Sequence, residues 1–125
     1  MRYTVLQFRL SDEAGDAVNS VGWTDAMKQF PEVEIQLNVS FSGGSDGFKS
    51  WMSEYYNPVC NIDASDLDGV FHIGNMGPEE SIERLDRMHS VSVGDVIRDN
   101  ELGTYYMVDG VGFTQLLSFL EKEAA

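Results

Sequence analysis

The 125-residue chain carries 21 Asp+Glu against 8 Lys+Arg, a formal net charge of −13, with 42% hydrophobic and 11% aromatic residues. That length suits one domain with a core of its own, and the apolar content is too high for a disordered acidic tail. So few cations disfavour nucleic acid and anionic membrane surfaces as partners, because both are held mainly by Lys and Arg, whereas a basic protein or a cationic ligand is electrostatically allowed.

Residues 3–10 set Leu6, Phe8 and Leu10 in alternation with Gln7 and Arg9, the period of a half-buried strand. Ser11 is a candidate cap for a short helix over 12–20 that Gly15 and Asn19 weaken. Thr24 caps a better one, with Asp25 in its positive first turn, then Ala26, Met27 and Phe30, until Pro31 stops it. Trp23 packs back on those turns. Across 32–41, Val33, Ile35, Leu37, Val39 and Phe41 alternate without a break with Glu32, Glu34, Gln36, Asn38 and Ser40. This is the strongest strand signal in the chain, one face core and the other wet or acidic. The Gly/Ser run 42–47 reads as a flexible loop. Phe48, Trp51, Met52 and Tyr55 have helical spacing and predict a short amphipathic helix, broken at Asn57-Pro58, with a binding loop as the other reading.

Residues 60–68 are turn-rich, and 70–73 predict a short strand ended by Gly74-Asn75-Met76-Gly77. Pro78 opens the clearest short helix, 79–88, with Glu79 and Glu80 at its positive end. Glu80–Arg84 and Glu83–Arg87 are spaced i,i+4 with the acid first, and Ile82, Leu85 and Met88 or His89 form the apolar stripe. Residues 90–95 lead into a hairpin with strands 95–98 and 104–108 around a turn at 99–103. A last helix over 114–122 docks Leu116, Leu117 and Leu120, with Phe113 just before it. No repeat or linker divides the chain. The expected architecture is α+β: a single domain over 1–125, a mixed but mainly antiparallel sheet, and three to four short helices packed on it.

Cys60 is the only cysteine, so no internal disulfide and no multi-cysteine metal site can form; a lone Cys suits a reducing compartment, and a cytoplasmic location is expected. The opening ten residues hold one cation and no continuous apolar run, unlike a secretory signal, and no stretch approaches the roughly 18 apolar residues of a membrane span. Asn38-Val39-Ser40 matches a glycosylation acceptor, taken as coincidence without an export signal.

The chemical motifs are incomplete. Gly43, Gly44 and Gly47 do not make a phosphate-binding fingerprint and are read as a linker. Asp63, Asp66 and Asp68 before Gly69 hint at a calcium loop, but Ala64 and Asn75 stand at ligand positions, so a solvated turn is expected and no metal is assigned. His72 is read as a histidine of an apolar strand, and His89 as a cation at a helix C-terminus. Cys60 and His72 are the candidate nucleophile and base, yet nothing in the sequence brings them together, and pairs of acids are expected by chance among 21. The chain is therefore read as a non-enzyme, with no catalytic residue and no cofactor.

Binding candidates remain. Trp51, Tyr55 and Tyr56, beside the Gly/Ser loop, supply rigid contact area, with Tyr56 off the helix face and exposed. Glu32, Glu34, Asp63, Asp66 and Asp68 are the acids expected to meet basic surface.

The stretch His89-Ser90-Val91-Ser92-Val93-Gly94-Asp95-Val96-Ile97, followed by Tyr105 to Val108 and the run Asp109-Gly110-Val111-Gly112-Phe113, resembles a closing motif of small phage and mobile-element proteins, including the YodL-like family. The resemblance covers about 25 residues. It implies a phage or mobile-element setting and transfers no catalytic residue. On physical grounds the motif reads as a folding signature: Gly94 permits a turn, Asp95 bonds turn amides, and Val96, Ile97 and Val108 fill a core.

The expected function is that of a small acidic accessory protein acting by protein–protein binding, with DNA mimicry as its sharper version. The alternative is a small enzyme or ligand-binding protein with a pocket between the aromatic segment 48–56 and the sheet. Strand 33–41, if at a sheet edge, would pair with a copy of itself to make a homodimer.

Overall fold

The computed structural model describes residues 2–122. The fold is α+β. Strands β1 (Arg2–Phe8), β2 (Tyr56–Asp63), β3 (Ile82–Arg84), β4 (Val96–Asp99), β5 (Thr104–Val108) and β6 (Phe113–Gln115) form one antiparallel sheet in the order β3-β2-β1-β4-β5-β6. Four α-helical segments join them: α1 (Asp12–Val21), α2 (Trp23–Gln29), α3 (Glu32–Ile35) and α4 (Leu67–Met76). No helix among the described residues is long and apolar enough to cross a membrane.

β1 lies between β2 and β4 and is buried on both faces rather than half-buried. Leu6 and Phe8 enter one core, with Val96, Met107 and Tyr56; Tyr3 and Val5 enter the other, with Ile62, Val70 and Ile97. Gln7 is buried because its amide is fully used. Its Nε2 donates to the His89 carbonyl (2.9 Å) and to Asp95 Oδ2 (3.0 Å), and its Oε1 accepts from the His89 amide (3.2 Å).

Ser11 caps α1, accepting from the Ala14 amide at 3.2 Å. α2 starts two residues earlier than expected, after Gly22 rather than Thr24, and Thr24 lies inside it. The largest correction concerns 32–41. The segment is helical: α3 continues as a π-helix over Gln36–Ser40, closed by the Phe41 amide donating to the Gln36 carbonyl at 2.9 Å. Strict alternation also generates i,i+4 rows, and two residues advance a helix by about 200°. Val33 and Leu37 therefore face one way and Ile35 and Val39 the other. The first row packs with Ala14 and Ala26 of the helical pair, the second with the sheet core. A helix clamped between two apolar bodies carries the same two-residue pattern as a half-buried strand. It offers no sheet edge, which removes the strand-pairing route to a homodimer.

Residues 48–55 fold as a 3₁₀ helix over Ser50–Tyr55 rather than an α-helix, and Asn57-Pro58 does not break the chain but lies within β2. Pro58 pairs with Leu6 beside a register shift, where a missing N–H is tolerated. Residues 60–63 are strand, not turn. Residues 70–73 belong to α4, capped by Asp66, whose Oδ1 accepts from the Gly69 amide at 2.8 Å. Helix 79–88 is absent. A 3₁₀ turn over Glu79–Ser81 runs into β3, where Ile82 pairs with Ile62. Pairing the open edge of β2 satisfies several backbone groups, whereas each i,i+4 ion pair is worth only about 0.2–0.5 kcal/mol. Arg84 instead pairs with Glu79 (2.8 Å) and Glu83 with Arg2 (2.5 Å).

The hairpin β4–β5 stands as expected, with its turn at 99–103. The last helix does not form. β6 covers the edge of β5, and Phe119 stacks on Tyr105 (centroids 4.6 Å) in the core, while Leu117 and Leu120 are exposed.

Candidate binding site

The sheet end where β1 and β5 start and β2 and β4 finish gathers carboxylates. Asp99 is opposite Tyr3 across β1–β4, and Asp63 is opposite Arg2 across β1–β2. The cap of α4 brings Asp66 to the same end, and Asp68 follows in its first turn. Asp66, Asp68 and Asp99 line a cavity of about 350 Å³ together with Tyr3, Tyr106 and Phe113. Tyr3 and Asp99 are buried, at 4% and 5% exposure, whereas Asp66 and Asp68 are exposed at the mouth.

The electrostatics of this basin are one-sided. Burial raises the Tyr3 hydroxyl above its ordinary pKa, and the charges of Asp99, Asp66 and Glu101 raise it further. All ion pairs among the described residues use other acids: Glu83, Asp25, Glu34, Glu79 and Glu121. The Tyr3 hydroxyl makes no hydrogen bond among the described residues, although Thr4 beside it bonds to Asn61 (2.5 Å) and Asn100 (3.3 Å) on the opposite face. Asp99 Oδ1 accepts from the Glu101 and Leu102 amides (2.9 and 3.1 Å), which shapes the hairpin turn. Among the described residues no group of three His, Cys, Asp or Glu is placed to hold a metal ion.

A second concavity, also about 350 Å³, lies between Tyr55 and the sheet, with Glu32, Glu54, Asp86, His89 and Lys122 around it. It mixes both signs of charge. Beside it, Asp95 is tied into a knot. Its Oδ2 accepts from Gln7 Nε2 and from the Ser92 amide, both at 3.0 Å. Burial pushes its carboxyl up to about 7, against the downward pull of Ser92, His89 and Gln7.

The sequence-derived candidates are thus divided. Asp66 and Asp68 meet in the basin, and Asp63 is exposed at the end of β2. Glu32 lies at the other concavity, and Glu34 pairs with Lys49 at 2.9 Å. Trp51, 39% exposed, packs edge-on against half-buried Tyr55 at 6.0 Å. Tyr56 is not exposed: it is 1% accessible, and its hydroxyl donates to the Gly94 carbonyl at 2.6 Å. Once 56–63 is strand, Tyr56 faces the core beside Phe8 and Phe119.

His72 is exposed on α4 rather than set in an apolar strand, and His89 lies in a loop, its Nδ1 2.7 Å from the Ser90 carbonyl oxygen. Cys60 is buried. Burial pushes its thiol up to about 11, and the charged groups acting on it are Arg84 and Asp95 rather than His72. Tyr3, Asp99 and Tyr106 were missed because each reads locally as strand or turn; the one signal available was Asp99 and Tyr106 on the two strands of one hairpin. No protein-family model, curated protein or solved structure matches the chain.

Proposed function

We propose that this is a small acidic, non-enzymatic accessory protein of the phage and mobile-element kind, which acts in the cytoplasm by binding the basic surface of a protein partner. The observation that carries this reading is the gathering of Asp66, Asp68, Asp99 and Glu101 around the buried Tyr3, with no described counter-cation. Uncompensated charge at one end of a rigid sheet favours long-range attraction of an opposite surface. The lone buried Cys60 agrees with a reducing compartment. Mimicry of nucleic-acid phosphates is the less favoured version, because many other acids stand on unrelated elements: Asp12 and Glu13 on α1, Asp25 on α2, Glu79 and Glu80 before β3.

Affinity capture from the native host, read by mass spectrometry, tests the reading. A basic protein released by salt is expected on the wild type. It should be lost from the triple variant Asp63→Asn, Asp66→Asn, Asp68→Asn, in which Asn still caps α4. Capture that ignores the triple substitution would count against it.

A ligand-binding role for the concavity beside Tyr55 is the second reading, favoured by its mixed lining of Glu32, Glu54, His89 and Lys122. Thermal stabilisation by a small-molecule panel, abolished by Glu54→Gln, would support that role instead.

A further inference from the structure

The π-helical turn over Gln36–Ser40 forms part of the wall of a cavity of about 340 Å³. Its closing bond spans five residues. Gln36 and Phe41, which an α-helix would turn about 140° apart, therefore stand with Ser40 on the cavity side. Such turns are rare and recur at functional sites. Phe8 adds apolar surface to the lining, and His89 and Asp95 add titratable groups. The His89 Nδ1 is 2.7 Å from the Ser90 carbonyl oxygen, which can only accept, so Nδ1 holds the proton and Nε2 is the acceptor of the neutral ring. Asp95 is tethered through Oδ2 to Gln7 and the Ser92 amide. Burial pushes its carboxyl up to about 7, so near neutrality it can donate as an acid or accept as a carboxylate. Apolar walls, a few polar groups and a displaced titration are the features of a ligand site.

A second, more open space of about 640 Å³ shares Ser40, Phe41 and Val93 with the first. The Gly/Ser run 42–47 lines it, and that run is a built wall rather than a flexible loop. Ser45 donates to Asp109 through both its amide and its hydroxyl, each at 2.8 Å. A Cβ on Gly47 would collide with the Asn38 carbonyl oxygen of the π-turn. Phe41 stands at the junction of the two spaces, 62% exposed and braced edge-on by Trp23 at 5.4 Å. An exposed ring held in place at the mouth of a cavity is a stacking platform.

We propose that the two joined spaces bind a neutral nucleoside, its base beside Asp95 and His89 and stacked on Phe41, its sugar in the open groove. The chemistry of the lining selects this ligand. Gln36, Asp95 and His89 offer donors and acceptors side by side, as the amide and amidine edges of a base require. Ser42, Ser45 and Thr114 line the groove with hydroxyls, which suit those of a sugar. No Lys or Arg lines either space among the described residues, and Asp46 and Asp109 line the groove, so a phosphate is repelled. The site is separate from the acidic sheet end, and it stands or falls independently of the protein-partner reading.

The full chain is titrated with adenosine, guanosine, cytidine and uridine, with their 5′-monophosphates and with D-ribose, and amide shifts are followed by two-dimensional NMR. At least one nucleoside should give saturable shifts centred on Gln36, Ser40, Phe41, Ser92 and Asp95. Its 5′-monophosphate should bind about tenfold more weakly, because like charges meet in the groove. D-ribose alone should give no saturable shift. Phe41→Ala should weaken the nucleoside about tenfold and Phe41→Tyr should keep the wild-type affinity, because the first removes base–aromatic stacking and the second retains it. Trp51→Ala, an exposed aromatic elsewhere, should leave the affinity unchanged. The proposal fails if none of the four nucleosides saturates, if the monophosphate or D-ribose binds as tightly as the nucleoside, or if Phe41→Ala weakens binding no more than Trp51→Ala. Shifts centred instead on Glu32, Glu54 and Tyr55 would place the nucleoside in the other concavity and overturn it as well.

Discussion

The Tyr56 hydroxyl donates to the Gly94 carbonyl oxygen at 2.6 Å inside the core, joining the start of β2 to the loop that sets Asp95. Tyr56→Phe keeps the ring contacts with Phe8, Phe48 and Phe119 and removes only this bond. The abandoned carbonyl loses its buried partner, so the variant should lose about 1–3 kcal/mol, measured by urea unfolding at an unchanged slope.

Gly94 is the other partner in that contact, and its backbone is in the left-handed region at φ +94. A Cβ there would lie 2.9 Å from Ser40 Oγ. Gly94→Ala should therefore cost about 1–3 kcal/mol. Adding Ser40→Gly removes the 2.9 Å contact but neither the 3.2 Å approach to the Ser40 Cα nor the dihedral strain, so the double variant should recover only part of the loss in the same measurement.

Asp95 makes stability depend on pH. Burial holds its carboxyl at about 7 in the folded protein, above the ordinary 3.8, so the folded state keeps the proton that the unfolded chain releases. Its contribution is fully present below 3.8 and is lost as pH rises through about 7. Asp95→Asn preserves the shape and an acceptor oxygen while abolishing the titration. The stability of wild type relative to this variant should fall between pH 4 and 7, approximately the interval between those two values. A relative stability that rises over that window would contradict the assignment. Double-variant measurements with His89→Ala should shift the upper end of the window upward, because the His89 charge pulls the Asp95 pKa down.

Cys60 is buried, and its thiol is pushed up to about 11 by that burial. A thiolate is the reactive form, so native protein should react with iodoacetamide only at the rate of unfolding, and at full speed in denaturant. Rapid labelling of the native protein would show that β2 opens on its own.

The same elements explain why part of the structure could be read in advance. β1, α1 and the β4–β5 hairpin follow from signals that act over a few residues: alternation, the Ser11 side chain bonding the Ala14 amide, and a turn closed by the Gly103 amide on the Asp99 carbonyl. The segment 32–41 was misread because alternation is ambiguous when both sides of an element are apolar, and only the positions of Ala14, Ala26 and the sheet decide which rows are used. The misreadings at 79–88 and 114–122 share a cause. Each segment has a respectable helical stripe, but each lies beside an open sheet edge, and completing the ladder outweighs local propensity.

By itself, the sequence determined the acidic character, the absence of an internal disulfide, the α+β class and the acids Asp66 and Asp68 as candidates, since these depend on composition and short-range spacing. Only the tertiary structure decided that Asp99 stands opposite Tyr3, that Asp66 and Asp68 arrive beside them from α4, and that Tyr56 turns inward. Those relations join residues tens of positions apart through strand register and helix docking, and no local pattern of side chains carries information about which strand will lie next to which.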